Sequence, residues 1–376
     1  MQNYKLPIAT NAMVLILDWC DEQFVTIATD YMANAIDIAG QKVGEGLPTF
    51  MIAELGGNLS GVGTAVEMID VAVDAGADAV KFQTYKAETI TSPDACFTLE
   101  DGSKISQYEY FKKYELSEDD HETLKSHCER RGTVFFSTPS HANDVDFLED
   151  LGVSLYKTGS DDLTNYPLLK YIAGTGKPMI VSTGMCSISE IEMAVRTILE
   201  TGNDQLILLH CIVGYPVQIN HANLNIIKTL QNSFEVLVGF SDHTRGNLAA
   251  LLSVAMGAVV VEKHLTMDRS VGGPDNDVAC EPEELKALID DVRAIPTAMG
   301  SSVRLVYDTE KKWREAARKS IVATGPIREG TTISSDMLII RRPSTGLHPR
   351  YLDMVVGRKA SKDIAAGEAV VWEMIA

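Results

Sequence analysis

The chain has 376 residues, a formal net charge of −19 and 45% hydrophobic residues, which is an ordinary composition for a folded globular protein. This length predicts one large domain together with a small one. The acidic excess argues against nucleic acid and anionic membrane as partners. The six cysteines form no CxxC pair, and we expect reduced thiols in a cytoplasmic protein. We find no targeting signal, because the apolar run at 12–17 is too short to span a membrane.

The first 34 residues show no clear hydrophobic period, and we assign this N-terminal extension no role. From Phe50 onward, eight short apolar runs alternate with amphipathic segments that predict helices. Continuous apolar runs between helices are typical of a parallel sheet buried on both faces. We therefore predict a (β/α)8 TIM barrel over residues 35–297. The alternative, a doubly wound open sheet, is less favoured because no Gly-rich dinucleotide turn follows the first run. The predicted strands are 50–54, 78–84, 133–138, 154–158, 178–183, 205–211, 236–243 and 258–264.

Three further segments stand out along the chain. Residues 85–116 are longer than an ordinary βα connection, and we expect them to lie over the catalytic face. Residues 298–315 resemble a linker with some helix. Residues 316–376 change to short strands and turns, and the spacing from Ile327 to Gly330 recurs from Ile364 to Gly367. This weak repeat predicts a small β-rich domain that is stabilised by packing on something else.

Polar or ionisable residues end all eight predicted strands, where a TIM barrel carries its active site, and His210 is the one that ends the sixth. His243 and His264 end the neighbouring seventh and eighth strands, which lie about 4.8 Å apart in a sheet. Two imidazoles at that spacing can share a cation, with water and substrate oxygens completing its shell. This arrangement favours Mn2+ or Mg2+ over structural zinc, and the alternative is a pair of hydrogen-bonded core histidines. Asp242 and Glu262 would orient the rings or be solvated.

Lys81 and Lys157 provide local positive charge in an acidic chain. Lysines inside a barrel mouth are costly unless an anion or carboxylate neutralises them. The hydroxyl groups that end nearby strands or follow them add donors, so the set suits a ligand with phosphate and carboxylate groups. The alternatives are a Schiff-base lysine or a simple ion pair with Glu54. The hydroxyl residues are Thr138, Ser160, Ser182 and Ser241.

Ordered motifs over residues 35–376 resemble the sialic-acid (N-acetylneuraminate) synthase family. These enzymes carry a TIM barrel followed by an antifreeze-like (SAF) domain, and the segment RRPSTGL resembles part of the latter. The motifs are VGEGLPTFMIAELGGN, GADAVKFQTYKAETIT, KYELSEDDHETLK, FFSTPS, YKTGS, STGM, LLHC followed by YP, GFSDHT, EKHLT, GGPD and RRPSTGL.

The resemblance implies that the chain condenses phosphoenolpyruvate with the open-chain form of an N-acetylhexosamine, such as N-acetylmannosamine or a diacetamido hexose. It implies a divalent metal, Mn2+ or Mg2+, on His243 and His264, and Glu54 matches the family's strand-one glutamate. Either Glu54 or Asp275 would transfer protons. It also implies a domain-swapped homodimer in which Arg342 reaches the sugar's acylamino group in the partner's barrel. The implied phosphoenolpyruvate contacts are Lys81, Thr138, Lys157, Ser160, Ser182 and Ser241, and the implied sugar contacts are Gln83, Asp162, Tyr215, Asp275 and Arg342.

The sequence departs from the family pattern at three places near the sugar end. Leu59 and Val213 stand where the family has polar residues, and Asp161-Asp162 replaces Gly-Glu. The identity of the sugar therefore stays open among N-acetylmannosamine and the precursors of legionaminic or pseudaminic acid. Two other functions also stay open. One is a Schiff-base keto-acid lyase that works through Lys157, and the other is a sugar-binding protein without activity.

Overall fold

The computed structural model describes residues 35–57, 59, 61–98, 102–271 and 275–376. These residues form two compact units that divide between Met299 and Gly300. The prediction for residues 1–34 lies outside the described part of the chain. The elements of the first unit, in chain order, are β1 (Ala35–Ile38), β2 (Gln41–Gly44), β3 (Phe50–Glu54), α1 (Val62–Ala75), β4 (Ala79–Thr84), α2 (Ala87–Ile90), β5 (Cys96–Thr98), β6 (Lys104–Ser106), α3 (Gln107–Tyr114), α4 (Glu118–Arg131), β7 (Val134–Pro139), α5 (Ala142–Leu151), β8 (Tyr156–Thr158), α6 (Tyr166–Ala173), β9 (Met179–Ser182), α7 (Ile188–Leu199), β10 (Leu206–Cys211), α8 (Asn225–Phe234), β11 (Leu237–Asp242), α9 (Leu248–Ala255), β12 (Val260–His264) and α10 (Pro282–Met299).

Eight parallel strands close into a barrel in the order β3-β4-β7-β8-β9-β10-β11-β12, with β12 pairing back to β3. The (β/α)8 prediction is therefore confirmed, and the open sheet is wrong. Six of the eight strands begin within one residue of the predicted position, and β8 and β12 each begin two residues late. Buried parallel strands read as continuous apolar runs, which is why their bounds are legible in the sequence.

Side chains alternate along each barrel strand between the interior and the surrounding helices. Phe50 and Ile52 pack inside the barrel, whereas Met51 and Ala53 belong to the layer between strands and helices. The hairpin β1–β2 adds Ile36, Ile38 and Val43 to the same interior cluster. The lower layers of the interior are thus apolar, which leaves the carboxyl ends of the strands for polar side chains.

The described residues of the segment 85–116 form regular structure, namely α2, the antiparallel pair of strands β5 and β6, and α3. Its aromatic residues pack edge to face, with Phe111 next to both Tyr85 and Tyr110. Such pairs add roughly 0.5–1.5 kcal/mol each beyond the burial of their surface. The segment therefore has a small core of its own.

The second unit contains α11 (Asp308–Ala317), β13 (Ser320–Ala323), β14 (Leu338–Arg341) and α12 (Leu352–Val355). Strands β13 and β14 pair antiparallel. The two copies of the sequence repeat meet each other, since Ile327 and Ile364 exchange backbone hydrogen bonds of 2.9 and 2.8 Å. The repeat marks two hairpin-like arms that share one core.

No helix among the described residues is long and apolar enough to span a membrane.

Candidate active site

Polar side chains form the top layer of the barrel interior. They continue the inward-facing columns whose lower members are apolar, for example Phe50 and Ile52 below Glu54. Because side chains alternate along a strand, each inward-facing column ends at the mouth of the barrel in a polar or ionisable residue. The inward residues of this layer are Glu54, Lys81, Gln83, Thr138, Lys157, Ser182, Cys211, Ser241, His243, Glu262 and His264.

Two lysines and two glutamates form a charge cluster inside the mouth. Lys81 makes an ion pair with Glu54, and its Nζ lies 3.7 Å from Oε1 of Glu262. The Nζ of Lys157 lies 3.8 Å from that same oxygen and donates a hydrogen bond of 2.6 Å to Ser182 Oγ. Lys81 Nζ also donates to Thr138 Oγ1 at 3.3 Å. The structure thus brings together both predicted anion-binding lysines and two of the predicted hydroxyls.

Burial and mutual charge set the protonation of this cluster. Burial raises the pKa of Glu54 to about 7, although Lys81 opposes the shift. Burial alone would raise the pKa of Glu262 as well, but Lys157 and Lys81 hold it below its ordinary value. Burial lowers the pKa of Lys157, and Glu262 counteracts this effect. Partial protonation of Glu54 near neutral pH reduces the negative charge beside Lys81 and Lys157, which favours the binding of an anion.

His243 and His264 face each other with ring centroids 5.3 Å apart. The Nδ1 atom of His243 lies 3.0 Å from the carbonyl oxygen of Ile212. A carbonyl can only accept, so Nδ1 carries a proton and Nε2 is the ring atom that a metal would bind. The Nδ1 atom of His264 is buried, has no hydrogen-bond partner within the described residues, and lies 3.7 Å from Oδ2 of Asp275.

These two histidines fit a divalent metal. Burial lowers the pKa of His264 well below its ordinary value, so this ring is neutral, as a metal ligand must be. The backbone carbonyl on His243 fixes the tautomer in the way that outer partners fix metal-binding imidazoles. No cluster of three or more His, Cys, Asp or Glu side chains that could hold a metal occurs in the described ranges. A metal here would therefore take its other ligands from substrate and water.

The predicted sugar contacts Tyr215 and Asp275 lie beside the histidines. The ring of Tyr215 packs on that of His243 with centroids 4.6 Å apart. Burial raises the pKa of Asp275 to about 6. Gly57 has a positive φ of 81° and approaches Asp275 so closely that a Cβ atom would collide with its carboxylate. Gln83, another predicted sugar contact, lies on β4 and is the register partner of Thr138 on β7.

Ser160, Asp162 and Val213 lie in the loops after β8 and β10. The Gly184 N–H donates to Ser160 Oγ at 3.0 Å, and a Cβ atom on Gly184 would crowd both Ser160 and Val213. Asp162 accepts a hydrogen bond from Asn165 at 2.9 Å, and burial raises the pKa of its carboxyl to about 6. Val213 is 38% exposed, so this departure from the family pattern presents an apolar surface.

Arg342 is an exposed residue of the second unit that directly follows β14. Its contact with the sugar stays a prediction.

The segment 85–116 lies near the mouth. Burial raises the pKa of both Tyr85 and Tyr110, and the negative charge of Asp275 adds to the shift at each of them. The segment therefore comes close to a residue of the predicted sugar site.

Two strand-end residues, His210 and Glu262, do not lie where the sequence predicted. His210 faces the helices, where Nε2 bonds the carbonyl of Ala222 at 2.7 Å, so it is a structural residue. Its neighbour Cys211 faces inward instead, with Sγ 3.8 Å from Nδ1 of His243. Glu262 is neither solvated nor aligned with a ring nitrogen, because it lies between the two lysines. Alternation along β10 and β12 is the sequence signal that identifies Cys211 and Glu262.

A closed eight-stranded barrel with lysines, carboxylates and paired histidines at its carboxyl mouth defines a (β/α)8 enzyme. The model of the NeuB family matches residues 68–304, and that of the SAF domain matches residues 318–376. The N,N'-diacetyllegionaminic acid synthase of Legionella pneumophila is 40% identical over 341 residues, covering 88% of this chain and 96% of that protein. The mouse N-acetylneuraminate-9-phosphate synthase is 32% identical and covers 89% of this chain and 95% of its own length.

Among solved structures, the sialic acid synthetase of Leptospira borgpetersenii superposes with a TM-score of 0.68 at 34% identity, covering 75% of this chain and 95% of that one. The chain belongs to the NeuB family. It is therefore an enzyme of the sialic-acid synthase type, a transferase that forms a carbon–carbon bond, with a C-terminal SAF domain. The resemblance in the sequence motifs is confirmed.

Proposed function

We propose that the chain condenses phosphoenolpyruvate with the open-chain aldehyde of an N-acetylated amino hexose, giving a nonulosonic acid and phosphate. One observation carries this proposal: the buried lysines Lys81 and Lys157 share the barrel mouth with the facing pair His243 and His264. An anion site and a metal site side by side suit one anionic and one carbonyl substrate. The 40% identical relative, a diacetyllegionaminic acid synthase, supports a diacetamido hexose as the sugar.

Mn2+ or Mg2+ would be held by His243 and His264, and when bound it supplies Lewis-acid polarisation of a carbonyl oxygen. Lys81 and Lys157, with the hydroxyls of Thr138, Ser182 and Ser241, bind the phosphate and carboxylate of phosphoenolpyruvate. C3 of phosphoenolpyruvate attacks the aldehyde carbon and forms the new bond. Water adds at C2, the C2–O bond to phosphate then breaks, and C2 becomes a ketone as its hydroxyl proton passes to the departing phosphate.

Glu54 suits the proton transfers of this sequence. Its pKa of about 7 lets the carboxyl release and accept a proton near neutral pH. Asp275, with a pKa of about 6, is the second candidate and lies closer to the histidines. Either group can take the proton of the attacking water and return one to the aldehyde oxygen.

We further propose the domain-swapped homodimer, with Arg342 of one protomer reaching the sugar in the partner's barrel. Charge supports the idea, because residues 300–376 carry 13 Lys and Arg against 9 Asp and Glu in a chain of net charge −19. The second unit is therefore basic, and the first is strongly acidic. The second unit also exposes large apolar side chains, including Trp313 at 71%.

The deciding experiment measures phosphate release from phosphoenolpyruvate with a panel that contains N-acetylmannosamine and diacetamido hexoses. We expect release only with an acylated amino hexose. Absence of release with every sugar would favour a sugar-binding protein. Trapping of pyruvate on Lys157 by borohydride, without any need for metal, would instead establish a Schiff-base lyase.

A further inference from the structure

Asp242 and Lys263 form a completely buried ion pair behind the two histidines. Both side chains have zero exposure, and the Oδ2–Nζ distance is 2.9 Å. The two residues are register partners across β11 and β12. Each one directly precedes a histidine, His243 or His264, so alternation puts the pair on the helix-facing side of the barrel and the imidazoles on the inner side.

The pair closes a complete hydrogen-bond network. Besides Asp242, Lys263 Nζ donates to the carbonyl oxygens of Thr244 at 2.5 Å and Gly246 at 3.2 Å. Oδ1 of Asp242 accepts from the backbone N–H of Thr244 at 2.8 Å and from its hydroxyl at 2.7 Å. The ammonium group of Lys263 on β12 thus fixes residues 242–246, the turn that follows β11. His243 lies within this turn, between Asp242 and Thr244.

Stability alone does not account for this arrangement. The pair continues the column of Phe240 and Val261, which belong to the apolar layer between strands and helices. Well-packed apolar residues are often equally stabilising at such a position, since two buried charges lose their hydration. Fixing one particular geometry is the better-attested use of a buried charge pair.

The histidines themselves need such fixing. Two side chains on different strands supply the only protein ligands proposed for the metal, so their separation depends on how β11 and β12 end. His264 is held by the Cys280 N–H, which donates to its backbone carbonyl at 2.7 Å. His243 is held through its carbonyl by Val217 N–H at 2.9 Å and through its ring by Ile212. Beyond the backbone pairing of β11 with β12, the network on Lys263 is a side-chain link between the two strand ends.

We propose that Asp242 and Lys263 are positioning residues that hold His243 and His264 at the separation a shared divalent metal needs. They act through the backbone of the 242–246 turn and touch neither metal nor substrate. The inference rests on the metal site proposed above.

The test compares two double variants by Mn2+ titration of the full chain and by thermal unfolding of the metal-free protein. Lys263→Met with Asp242→Asn removes both charges but keeps an oxygen acceptor for Thr244. The control is Arg293→Met with Asp78→Asn, which removes an ion pair and a bond to the Thr49 carbonyl at the opposite, amino-terminal end of the barrel.

We expect the Lys263→Met/Asp242→Asn protein to bind Mn2+ about 10- to 100-fold more weakly, the range seen when partners of metal ligands are lost. The control should lower the unfolding temperature and leave Mn2+ affinity within about twofold of wild type. A variant that unfolds cooperatively and binds Mn2+ like the wild type would overturn the proposal. Absence of Mn2+ binding by the wild type would instead overturn the metal site itself.

If the double variant does not fold, a milder variant can still test whether Asp242 and Lys263 position the histidines. Thr244→Val removes only the hydroxyl that donates to Asp242 and preserves the side-chain shape. We expect a smaller loss of Mn2+ affinity in the same direction. Unchanged affinity in this variant would also count against the positioning role.

Discussion

Oε1 of Glu262 lies 3.7 Å from Nζ of Lys81 inside the barrel, with both side chains almost completely buried. The same oxygen lies 3.8 Å from Nζ of Lys157. A single carboxylate thus helps to keep two buried lysines charged in a place where burial alone would neutralise them. The lysines must carry that charge to bind an anionic substrate.

Glu262→Gln should therefore make phosphoenolpyruvate binding more sensitive to alkaline pH. A lysine with a lowered pKa loses its proton earlier as the pH rises, and Glu262 is the strongest group opposing that loss at Lys157, ahead of Cys211 and Glu54. The alkaline limb of kcat/KM for phosphoenolpyruvate should move to lower pH in the variant. An unchanged limb would show that Glu262 does not tune the lysines. Glu200→Gln, which breaks an exposed pair with Arg196, is the control and should change nothing.

The sequence predicted the barrel well and the interior of its mouth only in part. Strand bounds were legible because each buried strand is one apolar run. His210 was misleading because it ends a strand but lies on the helix-facing side, and only alternation along β10 separates it from Cys211. The place of Glu262 between two lysines depends on pairing among strands far apart in the chain, which no local pattern encodes.

Asp162→Asn should stabilise the protein at alkaline pH while weakening sugar binding. Burial raises the pKa of Asp162 from 3.8 to about 6, with Asp161 and Asp144 adding to the shift and Asn165 opposing it. An ionised Asp162 thus disfavours the folded state above pH 6, and this cost disappears as the pH falls below about 4. After allowance for solvent screening, we expect a gain of about 1 kcal/mol at pH 8 and a smaller one at pH 5. Denaturant unfolding at the two pH values measures it, and an equal effect at both would contradict the shift.

Removal of metal should abolish activity. Chelation should stop phosphate release, and Mn2+ or Mg2+ should restore it. His243→Ala or His264→Ala should weaken Mn2+ binding by more than about tenfold, because each removes one of two protein ligands. His210→Ala is the matched control, since that ring bonds a backbone carbonyl on the other side of the barrel wall. Full activity in excess chelator would refute the metal assignment.

The fate of water oxygen tests the order of bond cleavage. If water adds at C2 and phosphate leaves with its bridging oxygen, oxygen-18 from bulk water should appear in the sugar acid and not in the phosphate. Mass spectrometry of both products in labelled water measures this. Label in the phosphate would mean attack at phosphorus, and the proposed carbon–oxygen cleavage would be wrong.

Arg342→Ala should raise the KM for the sugar far more than that for phosphoenolpyruvate. Arg342 is an exposed residue of the basic second unit, and a buried amide carbonyl of the sugar needs a donor. Arg350→Ala is a control from the same unit, because Arg350 packs on its neighbour Tyr351. If Arg342 only pairs with surface carboxylates, worth under about 1 kcal/mol, the sugar KM will not change.

A mixed dimer decides whether Arg342 acts within its own chain or across the dimer. One protomer carries Arg342→Ala and the other carries Lys157→Ala, which disables the anion site of its own barrel. If Arg342 serves the partner's barrel, one of the two sites contains both defects and the other contains neither, so about half of the activity survives, as the count of intact sites requires. If Arg342 serves its own barrel, each site contains one defect and activity nearly vanishes. The measurement is phosphate release by heterodimers purified with two different affinity tags, compared with each homodimeric variant.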